Sequence, residues 1–188
     1  ASGPLLPWLE ASVFPEEARF ADPVHAHHVA EVFTQQLIRS GTTCSLVYGS
    51  VHPQATDILL QMAADLGLRM TAGPVLMDCH CPEDLQLPTQ LAMEGIRKLA
   101  SKWHGYDQGR LGVAVIPRFA LSCSAELMSA AAEVADELGL WVSTHLSENR
   151  DECAIATKRF GTQDYLQVYE DLGLVHQKSV YAHCIHLS

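Results

Sequence analysis

The sequence of 188 residues lacks the patterns that mark several common classes of protein. No G-x-G-x-x-G turn follows an apolar run, so nothing indicates dinucleotide binding. No apolar run approaches the roughly 20 residues of a membrane-spanning helix. Basic residues are few: 12 Lys and Arg stand against 22 Asp and Glu, which gives a net charge of -10. This balance argues against nucleic acid and anionic membranes as partners.

The six cysteines form no C-x-x-C pair and no short disulfide framework. We therefore expect free thiols in a reducing compartment, and a cytoplasmic protein. The run Cys79-His80-Cys81 has no second ligand pair at zinc-finger spacing, which disfavours a structural zinc site. His25 and His27 also suggest a metal motif, but they fall in a helical pattern that points them to different sides.

Apolar strand patterns alternate with amphipathic helical patterns along the whole chain. The patterns predict strands over 42–48, 69–77, 112–117, 141–145 and 179–183 and helices over 23–40, 54–66, 88–104, 125–138, 149–160 and, capped by Thr162, up to Leu172, after a packed segment with a short helix at 5–20. Such alternation is typical of βα units in a parallel sheet, either open or closed into a barrel. We predict an α/β fold with one domain over residues 1–188.

Three successive predicted strands end at polar residues: Arg118 follows the third, His145 ends the fourth and His183 ends the fifth. Glu148 comes three residues after His145. Functional residues at the C-terminal ends of parallel strands favour a (β/α)8 barrel of the TIM type over an open sheet. A complete barrel of this type has eight strands, and the sequence predicts only five. We therefore predict a partial barrel that contains roughly strands 2 to 6 of the eight, with their helices.

Several stretches resemble the guanine deaminases of the amidohydrolase superfamily, a family of metal-dependent hydrolases. The stretches are PRFALSCS at 117–124, THLSENRDE at 144–152, YAHC at 181–184, WLE at 8–10 and FPEEARFAD at 14–22. The resemblance extends over nearly the whole chain, and the first stretch is its most specific part.

The resemblance implies a role for each matched residue. His145 and His183 are implied ligands of one catalytic zinc, and His183 alternatively holds the zinc-bound water. Glu148 is implied to be the proton shuttle and to contact the substrate. Arg118 and Phe119 are implied to grip a purine. Implied for the whole protein is a homodimer of purine catabolism that converts guanine to xanthine and ammonia through a metal-activated hydroxide.

The chemistry of these residue types suits that reaction. Imidazoles are good zinc ligands, and a carboxylate can move protons between water, a ring nitrogen and a departing amine. The guanidinium of Arg118 is a fixed fork of donors for a purine oxygen or nitrogen. Taken alone, Arg118 could equally be a surface ion-pair residue and Phe119 a core residue. The alternatives are another amino-purine, a triazine, a pterin or an S-adenosyl compound as substrate, or a non-catalytic barrel fragment.

Two parts of the family's zinc site have no counterpart in the sequence. The family also uses an H-x-H pair from the first barrel strand and an Asp from the eighth. We expect both to lie outside residues 1–188, together with the first and last strands. A fragment with two imidazoles is expected to bind zinc weakly and to be inactive by itself.

Overall fold

A computed structural model describes residues 5–187 of the chain. These residues form two compact units, one of 5–75 with 94–114 and the other of 76–93 with 115–187. No helix within the described part of the chain is long and apolar enough to cross a membrane.

The first unit begins with short helical turns and continues with parallel strands and helices. Its elements are α1 (Leu5–Trp8), a π-helical turn (Leu9–Val13), α2 (Phe14–Ala18), a 3-10 turn (Arg19–Ala21), α3 (Pro23–Arg39), β1 (Cys44–Tyr48), α4 (Pro53–Asp65), β2 (Arg69–Gly73), most of α5 (Thr89–Trp103), a short turn α6 (Tyr106–Gly109) and the first half of β4 (Leu111–Pro117). Strand β2 pairs in parallel with β1 on one side and with β4 on the other.

The second unit contains every residue that the sequence assigns to the site. Its elements, in addition to the second half of β4, are a 3-10 turn (Glu83–Leu85), α7 (Ala125–Leu138), β5 (Trp141–Leu146), α8 (Arg150–Phe160), α9 (Tyr165–Asp171) and β6 (Ser179–His183). Strands β5 and β6 pair in parallel, with His145 opposite Ala182 and Leu146 opposite His183. In sequence, the division between the units falls within the two-residue strand β3 (Val75–Leu76).

The helix ends follow local chemistry that is visible in the sequence. The Ser124 side chain accepts a hydrogen bond from the Leu127 amide at the start of α7, and Gly139 ends that helix with a φ of 64°. A left-handed residue at this position is a common helix stop, and glycine adopts it without steric cost. These two residues fix where α7 begins and ends, as predicted, and so define the loop that leads out of β4.

Two predictions of local structure were wrong. The strand expected over 69–77 is broken into β2 and β3 at Pro74, which has no N–H to donate to a sheet ladder. After the break, the Val75 amide donates instead to Ser50 O at 3.0 Å. The predicted cap Thr162 does not start the last helix; Asp164 does, because its carboxylate accepts from the Gln167 amide at 2.9 Å.

Candidate active site

Arg118 lies directly after β4, and hydrogen bonds of its backbone fix its position. Its amide donates to Leu76 O at 3.2 Å, and its carbonyl accepts from the His145 amide at 3.1 Å. The guanidinium Nη1 lies 3.9 Å from the sulfur of Met77. Phe119, the next residue, is only 6% exposed, so its ring belongs to the core of this unit. Of the two adjacent residues, Arg118 therefore has the more accessible side chain.

His145 lies at the C-terminal end of β5, as the sequence predicts. Its Nδ1 is 2.9 Å from Arg118 O, and because a carbonyl can only accept, this nitrogen carries the proton. Burial lowers the pKa of His145, and the nearby charges of Arg118 and His183 act in the same direction. The ring is therefore neutral near pH 7, with its lone pair on Nε2. A protein carbonyl that fixes Nδ1–H in this way is the usual support of a metal-binding histidine.

Glu148 and His183 come together at the same end of the unit. His183 Nε2 lies 3.4 Å from Glu148 Oε2. The rings of His183 and His145 are stacked, with centroids 5.5 Å apart and planes inclined by 26°. The two imidazoles and the carboxylate that the sequence places at separate strand ends are thus brought within a few ångströms of one another.

The backbone around these side chains takes up conformations that are rare for residues other than glycine. Ser147 has a φ of 53° and His183 a φ of 71°. Such conformations cost free energy and persist only where contacts with the surrounding structure stabilise them. Here Ser147 O accepts from the Ile185 and His186 amides, each at 3.1 Å. The end of β6 is thereby fastened to the turn that carries Glu148.

The donor set matches part of a zinc site. Within residues 5–187, no group of three or more His, Cys, Asp or Glu side chains is arranged to hold a metal ion. Zinc in catalytic sites takes three protein ligands, commonly imidazole and carboxylate groups. His145 and His183 supply two donors of the right type on facing rings, one of them with its tautomer fixed. His145 and His183 therefore fit a zinc ion as part of its ligand set.

A buried glutamate behind Glu148 was missed by the sequence analysis, although its signal was readable. Asn149 starts α8 and Glu152 stands three residues later, which is the spacing of a capping box. The Asn149 side chain accepts from the Glu152 amide at 2.9 Å. The Glu152 carboxylate in turn accepts from the Glu148 amide at 2.9 Å and from the Asn149 amide at 3.2 Å. Glu152 therefore fixes the backbone from which the Glu148 side chain projects.

Replacing Glu152 with glutamine is expected to change how stability depends on pH. Burial raises the pKa of the Glu152 carboxyl above its ordinary value of 4.5. Its stabilising contribution is therefore complete below that ordinary value and is lost as pH rises through the folded-state pKa. Denaturant unfolding of both proteins between about pH 4 and pH 8 should show wild type losing stability relative to Glu152→Gln as pH rises. Glutamine keeps an oxygen for the capping amides, and a difference that does not change with pH would contradict the expectation.

Comparison with known proteins decides the family. The amidohydrolase family matches residues 2–188. The chain belongs to the amidohydrolase family. Guanine deaminase of Escherichia coli (strain K12) is 40% identical to the amidohydrolase chain over 185 residues, which is 97% of the chain and 42% of that relative. The resemblance noted in the sequence is confirmed.

Solved structures agree with this relationship. E. coli guanine deaminase matches 100% of the amidohydrolase chain and 43% of its own, with a TM-score of 0.96 and 39% identity. Guanine deaminase from C. acetobutylicum, solved with guanine bound in its active site, matches 98% of the chain and 44% of its own, with a TM-score of 0.94 and 32% identity. These matches confirm the predicted α/β fold as part of a TIM-type barrel. The amidohydrolase chain spans less than half the length of these relatives.

Proposed function

We propose that this chain carries the proton-transfer and substrate-binding part of a zinc-dependent aminohydrolase that converts guanine to xanthine and ammonia. The observation that carries the proposal is the convergence of His145, His183 and Glu148 beside Arg118, within one compact unit. The relatives named as guanine deaminases support guanine as the substrate over other cyclic amidines.

The imidazoles of His145 and His183 are the residues that would hold the metal. A bound zinc ion would supply acidity, because it lowers the pKa of a water ligand to about 7 and so provides a nucleophile at neutral pH. His145 is prepared for this role by the Arg118 carbonyl, which holds its Nδ1 proton and orients its ring. His183 faces the Glu148 carboxylate, so it can also orient the attacking water by a hydrogen bond.

The carboxylate of Glu148 performs the proton transfers. It takes a proton from the attacking water and delivers it to the ring nitrogen next to the attacked carbon, and a later proton goes to the departing amine. The overall change adds one water to guanine and releases xanthine and ammonia. Arg118 donates hydrogen bonds to an oxygen or nitrogen acceptor of the purine and so sets its orientation. The ring of Phe119 is buried, so the backbone of this residue is the part available to contact the base.

A substrate panel tests this function. Ammonia release is measured with the full-length protein on guanine, a second amino-purine, a triazine, a pterin and an S-adenosyl compound. We expect kcat/KM for guanine to exceed that of each other compound by at least about 100-fold, because a site built to hydrogen-bond one substrate rejects analogues that leave its donors unpaired. Arg118→Ala should reduce this preference. A triazine or S-adenosyl compound that is preferred by the same margin would overturn the assignment.

Four broader predictions accompany the proposal. Residues 1–188 form the central part of one barrel domain, the whole protein is a homodimer, it acts in the cytoplasm, and it serves purine catabolism. The single domain follows from the alternation of strands and helices and the cytoplasmic location from the cysteines. The homodimer and the role in purine catabolism follow from the resemblance to the guanine deaminases. Size-exclusion chromatography with light scattering would measure the oligomeric state directly.

A further inference from the structure

A buried tyrosine hydroxyl lies beside the C-terminal end of β5 and the turn that follows β4. Tyr169, on α9, has no exposed surface. Its hydroxyl donates to His145 O at 2.7 Å and accepts from the Thr144 hydroxyl and the Ala120 amide, each at 3.1 Å. One side-chain oxygen thus contacts the end of β5 and the turn that follows β4.

A second tyrosine contacts the same turn after β4. Tyr165 is 3% exposed, and its hydroxyl accepts from the Ala120 amide at 3.0 Å and lies 3.3 Å from the Tyr169 hydroxyl. The two hydroxyls therefore meet at the Ala120 amide, and the Tyr169 hydroxyl joins that turn to the end of β5.

Packing alone does not explain these hydroxyls. A phenylalanine would fill nearly the same volume, whereas burying a hydroxyl costs free energy unless it is hydrogen-bonded. Both hydroxyls are hydrogen-bonded, and their backbone partners are the Ala120 amide, next to Phe119, and the His145 carbonyl. These hydrogen bonds join residues whose relative position the reaction needs. The bonded residues are separated by 24 to 49 positions in the sequence.

We propose that Tyr165 and Tyr169 are positioning residues. They hold the turn 118–122, which follows β4, in a fixed position relative to His145 at the end of β5. The inference rests on the proposed function for the identity of the substrate. Neither side chain touches the reacting atoms, because both are buried and act through backbone groups. A displacement of about 1 Å in such groups is enough to cost about 100-fold in rate.

Tyr169→Phe in the full-length protein is the principal test. We expect kcat/KM for guanine to fall by about 10- to 100-fold, mostly in kcat, with zinc content unchanged. The matched control is Tyr181→Phe, which removes a hydroxyl that donates to Leu174 O at 3.0 Å and contacts no site residue through that oxygen. Its kinetic constants should stay within about twofold of wild type. Equal kinetic losses in the two variants would overturn the proposal.

Hydrogen exchange provides a measurement that does not depend on the substrate. The Ala120 amide donates to both tyrosine hydroxyls, so segment 118–122 should exchange faster in Tyr169→Phe than in wild type or Tyr181→Phe. Unchanged exchange would overturn the positioning role whatever the substrate. Faster exchange in a protein that never turns over guanine would instead support positioning and overturn the proposed function. If Tyr169→Phe does not fold, Tyr165→Phe, which leaves the His145 bond intact, gives the same comparison.

Discussion

Replacing Glu148 with glutamine is expected to lower guanine turnover by roughly 10²- to 10⁴-fold, the range typical of losing a general acid–base group. Glutamine has nearly the same shape, but it cannot take a proton from water or return one to the purine. His145 and His183 are unchanged in this variant, so zinc content should stay at the wild-type level. Steady-state ammonia release and metal analysis on the same preparation measure the two quantities.

The control for Glu148→Gln is the same change at Glu133, which is exposed on α7 and is not one of the predicted site residues. Glu133→Gln should leave both turnover and zinc unchanged. Guanine turnover that survives in Glu148→Gln would exclude the proton-transfer role. A parallel loss of zinc would show that Glu148 supports the metal site, since His183 lies 3.4 Å from its carboxylate.

The parts of the site that the sequence predicted are those with local signals. His145 and His183 could be placed at strand ends because each terminates a short apolar run, and parallel strands end at the same edge of a sheet. The bounds of α7 were also predictable, because Ser124 and Gly139 are local helix start and stop signals. That the two imidazole rings stack at 5.5 Å follows from the register of β5 with β6, which no local pattern specifies.

The supporting residues could not be assigned from the sequence because their partners are distant. Tyr165 and Tyr169 stand four apart on a short amphipathic helix, where two aromatic residues most simply indicate core packing. Only the fold shows that their hydroxyls meet Ala120, 45 and 49 residues earlier in the chain. Arg159 is a further example, because its Nη1 donates to Ala120 O at 3.0 Å and to Leu121 O at 2.7 Å. Three side chains from α8 and α9 thus hold one turn.

Replacing His145 with alanine is expected to remove zinc and turnover together. The change deletes an imidazole that Arg118 O holds in a fixed orientation, and alanine offers no donor atom to a metal ion. Losing a residue that merely supports a metal ligand costs about 10- to 100-fold in metal affinity, and losing the ligand itself should cost more. Zinc content after dialysis, measured by elemental analysis, should fall in step with ammonia release from guanine.

The matched control is His27→Ala, which removes an exposed imidazole from α3 in the other unit. It should keep full zinc content and full activity, because the histidines of that helix were assigned no metal role. If His145→Ala lost activity but kept all its zinc, His145 would be a substrate-orienting residue and the ligand assignment would be wrong. If both variants lost zinc equally, the metal would bind by general affinity for histidine, and the stacked pair of His145 and His183 would carry no special role.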